Sequence, residues 1–132
     1  GVSLFKPNLK ELKEGLNIDF SFENERNAFE TAVQNLRKAV PHEASLITLS
    51  EHGVYICNES EKAYIEAHKR EITDVSGAGD TVIAVATLCL LANAPIDVIA
   101  KIANIAGGMV CEKPGVVSIS FEELKDEVHE LL

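Results

Sequence analysis

Residues 74–81 read DVSGAGDT and lead straight into the apolar run VIAVATLCLL at 82–91. Two glycines around an alanine, then a carboxylate, stand where a helix has to begin. The first N–H groups of a helix lack intrahelical acceptors, and the aligned peptide dipoles put partial positive charge there. With Gly77, Ala78 and Gly79 in that turn, nothing larger than a methyl shields those donors, so a phosphate can approach the backbone closely. Asp80 follows at once. Two negative groups side by side are costly unless a cation or a proton transfer uses the arrangement. Phosphoryl transfer does use it: the amides neutralise charge on the moving group, and Asp80 accepts or orients the proton of the attacking hydroxyl. The plainer reading is that glycines open many buried helices, and a first-turn Asp gains ~0.3–1 kcal/mol from the dipole alone.

Other candidates are weaker on their own. Asn8 with Glu11 three positions on has the spacing of a helix capping box. His42, His52, His68 and His129 are too far apart for a helical metal motif and are expected to face solvent. Ser50 and Ser76 have no His/Asp partners at a spacing that suggests a hydrolase triad. Glu23, Glu25, Glu122 and Asp126 read as solvated helix faces.

The elements that would position these residues follow from periodicity and breakers. A short apolar strand over 2–5 stops at Lys6-Pro7, and leucines at 9, 12 and 16 predict a helix over 8–16. Phe29, Ala32, Val33, Leu36 and Val40 form one helical stripe in 23–40, which Pro41 ends. Strands are expected at 44–48, 54–57 and 63–67, the first two joined by LSEHG, where Gly53 supplies turn freedom. The next helix, 77–92, is apolar nearly all round and so is expected to be buried. Pro95 opens another helix to about 112, Val116 begins a last strand to 119, and Ser120 with Glu123 caps the closing helix. Strands alternating with helices predict an α/β sandwich.

The chain has 132 residues, the size of one domain, and its net charge of −9 argues against nucleic acid or an anionic membrane as partner. No apolar stretch is long enough to span a bilayer, and no basic segment followed by an apolar one opens the chain, so no secretory signal is expected. Cys57, Cys89 and Cys111 are scattered and odd in number. They are expected to be reduced packing residues of a cytoplasmic protein. The first residue is Gly1 rather than Met, and a bare apolar strand at the start suggests part of a larger sheet.

DVSGAGDT with the apolar run after it closely resembles the second signature of the ribokinase-like (PfkB) carbohydrate kinases. The resemblance implies that Gly77, Ala78 and Gly79 supply the anion hole and Asp80 the catalytic base. Asp74 and Ser76 match a loop that binds a monovalent cation such as K+ in many members, and Val85 stands where the pattern prefers Ala or Gly. KPNLKE at 6–11 contains the family's N-x-x-E motif, through which Asn8 and Glu11 would organise Mg2+ and phosphate, often through water. TLSEHG at 48–53 resembles the nucleotide-binding T-x-G-x-x-G stretch, with Thr48 and Gly53 matching and Ser50 replacing the first glycine. Asn104, Gly107 and Gly108 fall where members line the adenine and ribose site, although small residues there also suit close helix packing. Lys113 could meet a nucleotide phosphate.

Ser50, DVSGAGDTVIAV and ANIAGGMVCEKPGVVSIS at 103–120 look most like bacterial heptose 7-phosphate kinases of lipopolysaccharide-precursor synthesis. The resemblance spans the whole chain but only the C-terminal, nucleotide-binding part of the family's three-layer α/β sandwich. Residues 1–132 are therefore expected to be a partial domain, lacking the N-terminal half with its sugar contacts and lid, and inactive alone. The implied partners are ATP and a small sugar or sugar phosphate, with self-association through the uncovered strand at 2–5. The competing expectation is a non-catalytic module for nucleotide binding or assembly, which the presence of Asp80 disfavours.

Overall fold

A computed structural model describes residues 2–67, 78–111 and 121–131. Strand β1 (Val2–Phe5) is followed by helices α1 (Leu9–Leu16) and α2 (Arg26–Ala39). Strand β2 (His42–Thr48), a single 3-10 turn (Ser50–His52), β3 (Val54–Cys57) and β4 (Lys62–Ile65) come next. Helices α3 (Ala78–Leu91), α4 (Ile96–Cys111) and α5 (Phe121–Leu131) complete the order.

The four strands form one sheet in the order β1-β2-β3-β4. β1 lies parallel to β2, with Val2 opposite His42 and Leu4 opposite Ala44, while β2–β3 and β3–β4 are antiparallel. β1, β2 and β4 therefore run one way and finish at the same end. The parallel pair needs a crossover, which α1 and α2 supply.

Alternation along the strands feeds two cores. Ile47, Tyr55 and Cys57 join Leu12, Phe20, Phe22, Phe29, Val33 and Leu36 beneath α1 and α2. Leu46, Val54 and Ile56 point the other way, to Val82, Ala86, Ile99 and Ala103 of α3 and α4. Helices on both faces account for β3 being buried at every position. The expected three-layer sandwich is what forms.

Three differences from the sequence reading stand out, the first two with local causes. α2 begins at Arg26, not at 23, because Ser21 and Glu25 close a turn first: the Glu25 amide donates to the Ser21 carbonyl at 2.7 Å, and the Ser21 amide donates to Oε1 of Glu25 at 2.9 Å. Val40 leaves the helical stripe, since the residue before a proline is pushed to extended backbone; its φ is −127° and it is exposed. α3 is not buried all round: Leu88 is 68% and Leu91 74% exposed.

His42 and His52 do not face open solvent. His42 is half-buried, lies 5.3 Å from the Phe5 ring, and bonds the Val40 carbonyl and Ser45 hydroxyl through its two nitrogens. His52 packs on Phe22 with ring centroids 5.3 Å apart. His129 is exposed, as are Glu23, Glu25, Glu122 and Asp126, while His68, the strand expected at 116–119 and Ser120 lie outside the described residues.

Cys57 is buried and Cys89 half-buried, both as free thiols. Burial raises both thiol pKa values, and at Cys57 it outweighs the opposing pull of Arg37 and of hydrogen bonds from Ser45 and Tyr55. The unfolded chain, whose thiols ionise near their ordinary value of 9.0, then binds fewer protons than the folded one above that pH. The sign follows from linkage: stability is fully present below the unfolded pKa and falls as pH rises beyond it. Urea midpoints measured from pH 7 to pH 10 are expected to hold up to about 8.5 and decline above it. A flat profile would contradict the buried thiols.

Candidate active site

The C-terminal ends of β1, β2 and β4 carry most of the candidate residues. Asn8 follows β1 and forms an isolated parallel bridge with Thr48 at the end of β2, where the Thr48 amide donates to the Pro7 carbonyl at 3.2 Å. Asn8 is the N-cap of α1: its Oδ1 accepts the Glu11 amide at 2.7 Å, and its own amide donates to Oε1 of Glu11 at 3.0 Å. The capping box is thus made. Both side chains are exposed, and one Glu11 carboxylate oxygen and the Asn8 Nδ2 take no part in it.

The loop from Thr48 to Gly53 is fixed by its backbone. The Leu49 amide donates to the Gly53 carbonyl at 2.8 Å, and the Gly53 amide to the Ser50 carbonyl at 3.3 Å. Ser50 has φ +53°. It keeps the left-handed conformation that suits the glycine it replaces in the T-x-G-x-x-G pattern, at a cost of about 1–2 kcal/mol. Gly53, at φ +103°, lies under the end of β4: a Cβ there would stand 2.0 Å from the Ile65 carbonyl oxygen and 2.7 Å from the Ala67 nitrogen. His52 clasps the same loop. Its Nε2 is 3.5 Å from carboxylate oxygens of both Glu23 and Glu51, and its carbonyl accepts the Tyr64 hydroxyl.

On the other face, Asn104 of α4 is buried and its Nδ2 donates to the Glu66 carbonyl at 2.9 Å, just past β4. One turn on, Gly107 meets α3 so closely that a Cβ would come within 2.8 Å of Val82 Cγ2. Gly107 is used for helix packing, and Gly108 beside it is half-buried. The four-residue link 92–95 makes α3 and α4 antiparallel neighbours. The start of α3 therefore lies beyond Val82, toward the C-terminal end of α4. Asp80 is about 3 Å along the axis from Val82, and Asn104 about 4.5 Å from Gly107 in the opposite sense.

Asn8, Glu11, Thr48, Ser50, Gly53 and Asn104 thus gather at the strand ends, where open α/β sheets bind ligands. Ala78, Gly79 and Asp80 are the first three residues of α3 as described, and the first amides of any helix are those that lack intrahelical acceptors. Gly77, Asp74, Ser76 and Lys113 lie outside the described residues. The Glu66 carbonyl, which Asn104 holds, and the clasp of His52 carry no sequence signal. Both are contacts made only by the folded chain.

A model of the pfkB family carbohydrate kinases matches residues 1–123. The chain belongs to that family. Two similar proteins are each called bifunctional protein HldE. The one from Campylobacter jejuni (strain RM1221) is 40% identical over 126 residues, covering 95% of this chain and 26% of that protein. The one from Sulfurimonas denitrificans is 36% identical, covering 96% and 26%. The chain thus spans about a quarter of the length of the curated relatives it matches. Among solved pfkB-like folds, Escherichia coli phosphofructokinase-2 in complex with potassium superposes with a TM-score of 0.86 at 20% identity, over 99% of this chain and 41% of that one. Ribokinase from Thermotoga maritima gives 0.74 at 17% identity, over 96% and 42%. The architecture is the ribokinase-like one, in part. Among the described residues, no helix is long and apolar enough to cross a membrane.

Proposed function

We propose that residues 1–132 are the nucleotide-binding part of a larger kinase domain, which transfers the terminal phosphoryl group of ATP to a sugar hydroxyl. The observation that carries this is the start of α3 at Ala78-Gly79-Asp80, behind an end of the sheet already lined by Asn8, Thr48, Gly53 and Asn104. The first-turn amides of Ala78 and Gly79, with Gly77 before them, would receive the phosphoryl oxygens. Asp80 would take the proton of the attacking alcohol. The loop from Thr48 through Ser50 to Gly53, with Asn104, Gly107 and Gly108, would border the nucleotide.

The donor set fits a hydrated divalent cation. Glu11 keeps a carboxylate oxygen outside its capping bond, and Mg2+ takes one or two protein oxygens while retaining several waters. Among the described residues no group of three or more His, Cys, Asp or Glu side chains could hold a metal, so Asn8 and Glu11 would act with phosphate and water as co-ligands. Such a cation supplies charge neutralisation between the phosphates. Asp74 and Ser76 would border a monovalent cation, K+ by analogy with the potassium complex of phosphofructokinase-2.

The acceptor we propose is a heptose 7-phosphate, phosphorylated at its anomeric hydroxyl for lipopolysaccharide-precursor synthesis, in the cytoplasm. What supports it is the combined pattern of Ser50, DVSGAGDTVIAV and residues 103–120, together with the HldE relatives. Self-association of the full-length kinase has a parallel in the tetrameric form of phosphofructokinase-2. The test is an ADP-release assay on the full-length protein with heptose 7-phosphate, ribose, fructose and fructose 6-phosphate. Heptose 7-phosphate should exceed the others at least ~100-fold in kcat/KM, the discrimination expected of a site that hydrogen-bonds its substrate's hydroxyls. A preference for another sugar would overturn the substrate, and no ADP release with any sugar would overturn the kinase.

A further inference from the structure

Arg26 stands where a helix least favours it. It is the first residue of α2, and no acidic side chain shares that first turn. Partial positive charge gathers at a helix N-terminus, so a cation there works against the dipole. Its neighbours account for it. The guanidinium carbon lies 3.9 Å from the centroid of the Phe22 ring and 4.8 Å from that of Tyr64, and Nε donates to the Phe22 carbonyl at 2.9 Å. The two rings also touch, with centroids 5.7 Å apart. A planar, weakly hydrated guanidinium suits a place over aromatic faces better than any other cation.

Tyr64 is thus fixed at its ring, and its far end reaches the loop between β2 and β3. The hydroxyl donates to the His52 carbonyl, inside the turn Ser50–His52. The turn's own bonds are local: the His52 amide donates to the Leu49 carbonyl at 3.0 Å and the Gly53 amide to the Ser50 carbonyl at 3.3 Å. Tyr64 adds one from another element, and the His52 ring rests on Phe22 beside it. Ser50 holds the left-handed backbone, φ +53°, which side chains disfavour. Such strain persists only where the surroundings over-determine it. Ser50 and Glu51 are exposed, so the hold comes from the side of Tyr64 and Phe22.

We propose that Tyr64 is a positioning residue for the nucleotide. With Arg26 and Phe22 against its ring, its hydroxyl fixes the Ser50–His52 turn before the nucleotide arrives. A loop already ordered spends no conformational entropy on binding. Neither Tyr64 nor Arg26 would touch the ligand. The inference rests on the reading of residues 48–53 as a border of the nucleotide. Its rival is an aromatic cluster that stabilises the fold and does nothing more.

Tyr64→Phe in the full-length protein removes the hydroxyl and keeps the ring over which Arg26 lies. Tyr55→Phe is the control. Tyr55 is the cross-strand partner of Tyr64, and its hydroxyl donates to Glu30 of α2 at 3.0 Å, not to the loop. Calorimetric titration with ADP and Mg2+ should show affinity lowered about threefold to tenfold in Tyr64→Phe, the worth of one hydrogen bond, and changed less than about twofold in Tyr55→Phe. Without nucleotide, amide hydrogen exchange at residues 50–53 should quicken in Tyr64→Phe alone, and saturating ADP should return it to the parent's rate. Unchanged ADP affinity in Tyr64→Phe would overturn the proposal, as would an equal loss in both variants. Parent-like exchange in Tyr64→Phe would overturn the hold on the turn while leaving the nucleotide reading intact. A parent that binds no ADP would overturn both.

Discussion

Asp80→Asn in the full-length protein is expected to lower kcat at least ~100-fold while changing KM for ATP less than about threefold. The substitution keeps size and hydrogen-bonding reach but removes the ability to accept a proton. Asp80 is the third residue of α3, so a second explanation of its presence makes a different prediction. If the carboxylate only complements the helix dipole, Asn should cost ~0.3–1 kcal/mol of stability and leave turnover nearly intact. The two accounts separate on one protein sample by measuring kcat, KM and the unfolding midpoint together. A small midpoint shift with a large kcat loss supports the base. Turnover within about threefold of the parent removes it, since general acid–base groups contribute ~100-fold or more.

The proposed anion hole also predicts which effects should not appear. The proposed donors are backbone amides of residues 77–79, so Ala78→Ser should leave them in place, because the helix start and not the side chain would supply the charge. What holds the helix start in position is more remote. Val82 rests on Gly107, and one turn away Asn104 grips the Glu66 carbonyl where β4 ends. The first turns of α3 are thereby tied to the sheet end through two contacts of α4.

Local patterns survived folding where the chain's own neighbours decide the conformation. N-x-x-E at 8–11 became a capping box with both bonds made, and the helix expected over 77–92 is present as α3, Ala78–Leu91. The alternation in β2 and β3 was enough to divide their side chains between two cores. Legibility ended where partners come from far along the chain. Asn104 and Glu66 are 38 positions apart, and nothing in either residue type announces the bond. The apolar run of α3 implied burial on all sides, but hydropathy says only that a face avoids water, not which segment covers it; Leu88 and Leu91 are the result. A His in a polar turn usually faces solvent, whereas the Phe22 ring and two glutamates hold His52 against the loop.

Gly53→Ala is expected to be the most damaging single methyl in the described chain, destabilising it by at least ~3 kcal/mol. Two costs act together. The backbone at φ +103° is a conformation L side chains rarely adopt, a strain of about 1–3 kcal/mol by itself. The added carbon would also lie 2.0 Å from the Ile65 oxygen and 2.8 Å from the Glu66 carbon. Those are backbone atoms, which cannot rotate away as a side-chain tip can, so the end of β4 must move. Glu66 is also the residue whose carbonyl Asn104 holds, so displacement there would carry to α4 and through Gly107 to the first turns of α3. Gly15→Ala provides the control, since a Cβ there meets nothing within 4 Å and the residue lies inside α1. That change should stabilise by about 0.5–1 kcal/mol. Urea unfolding of the two variants beside the parent decides the matter. A Gly53→Ala midpoint within error of the parent would mean that the loop and β4 do not cross as described.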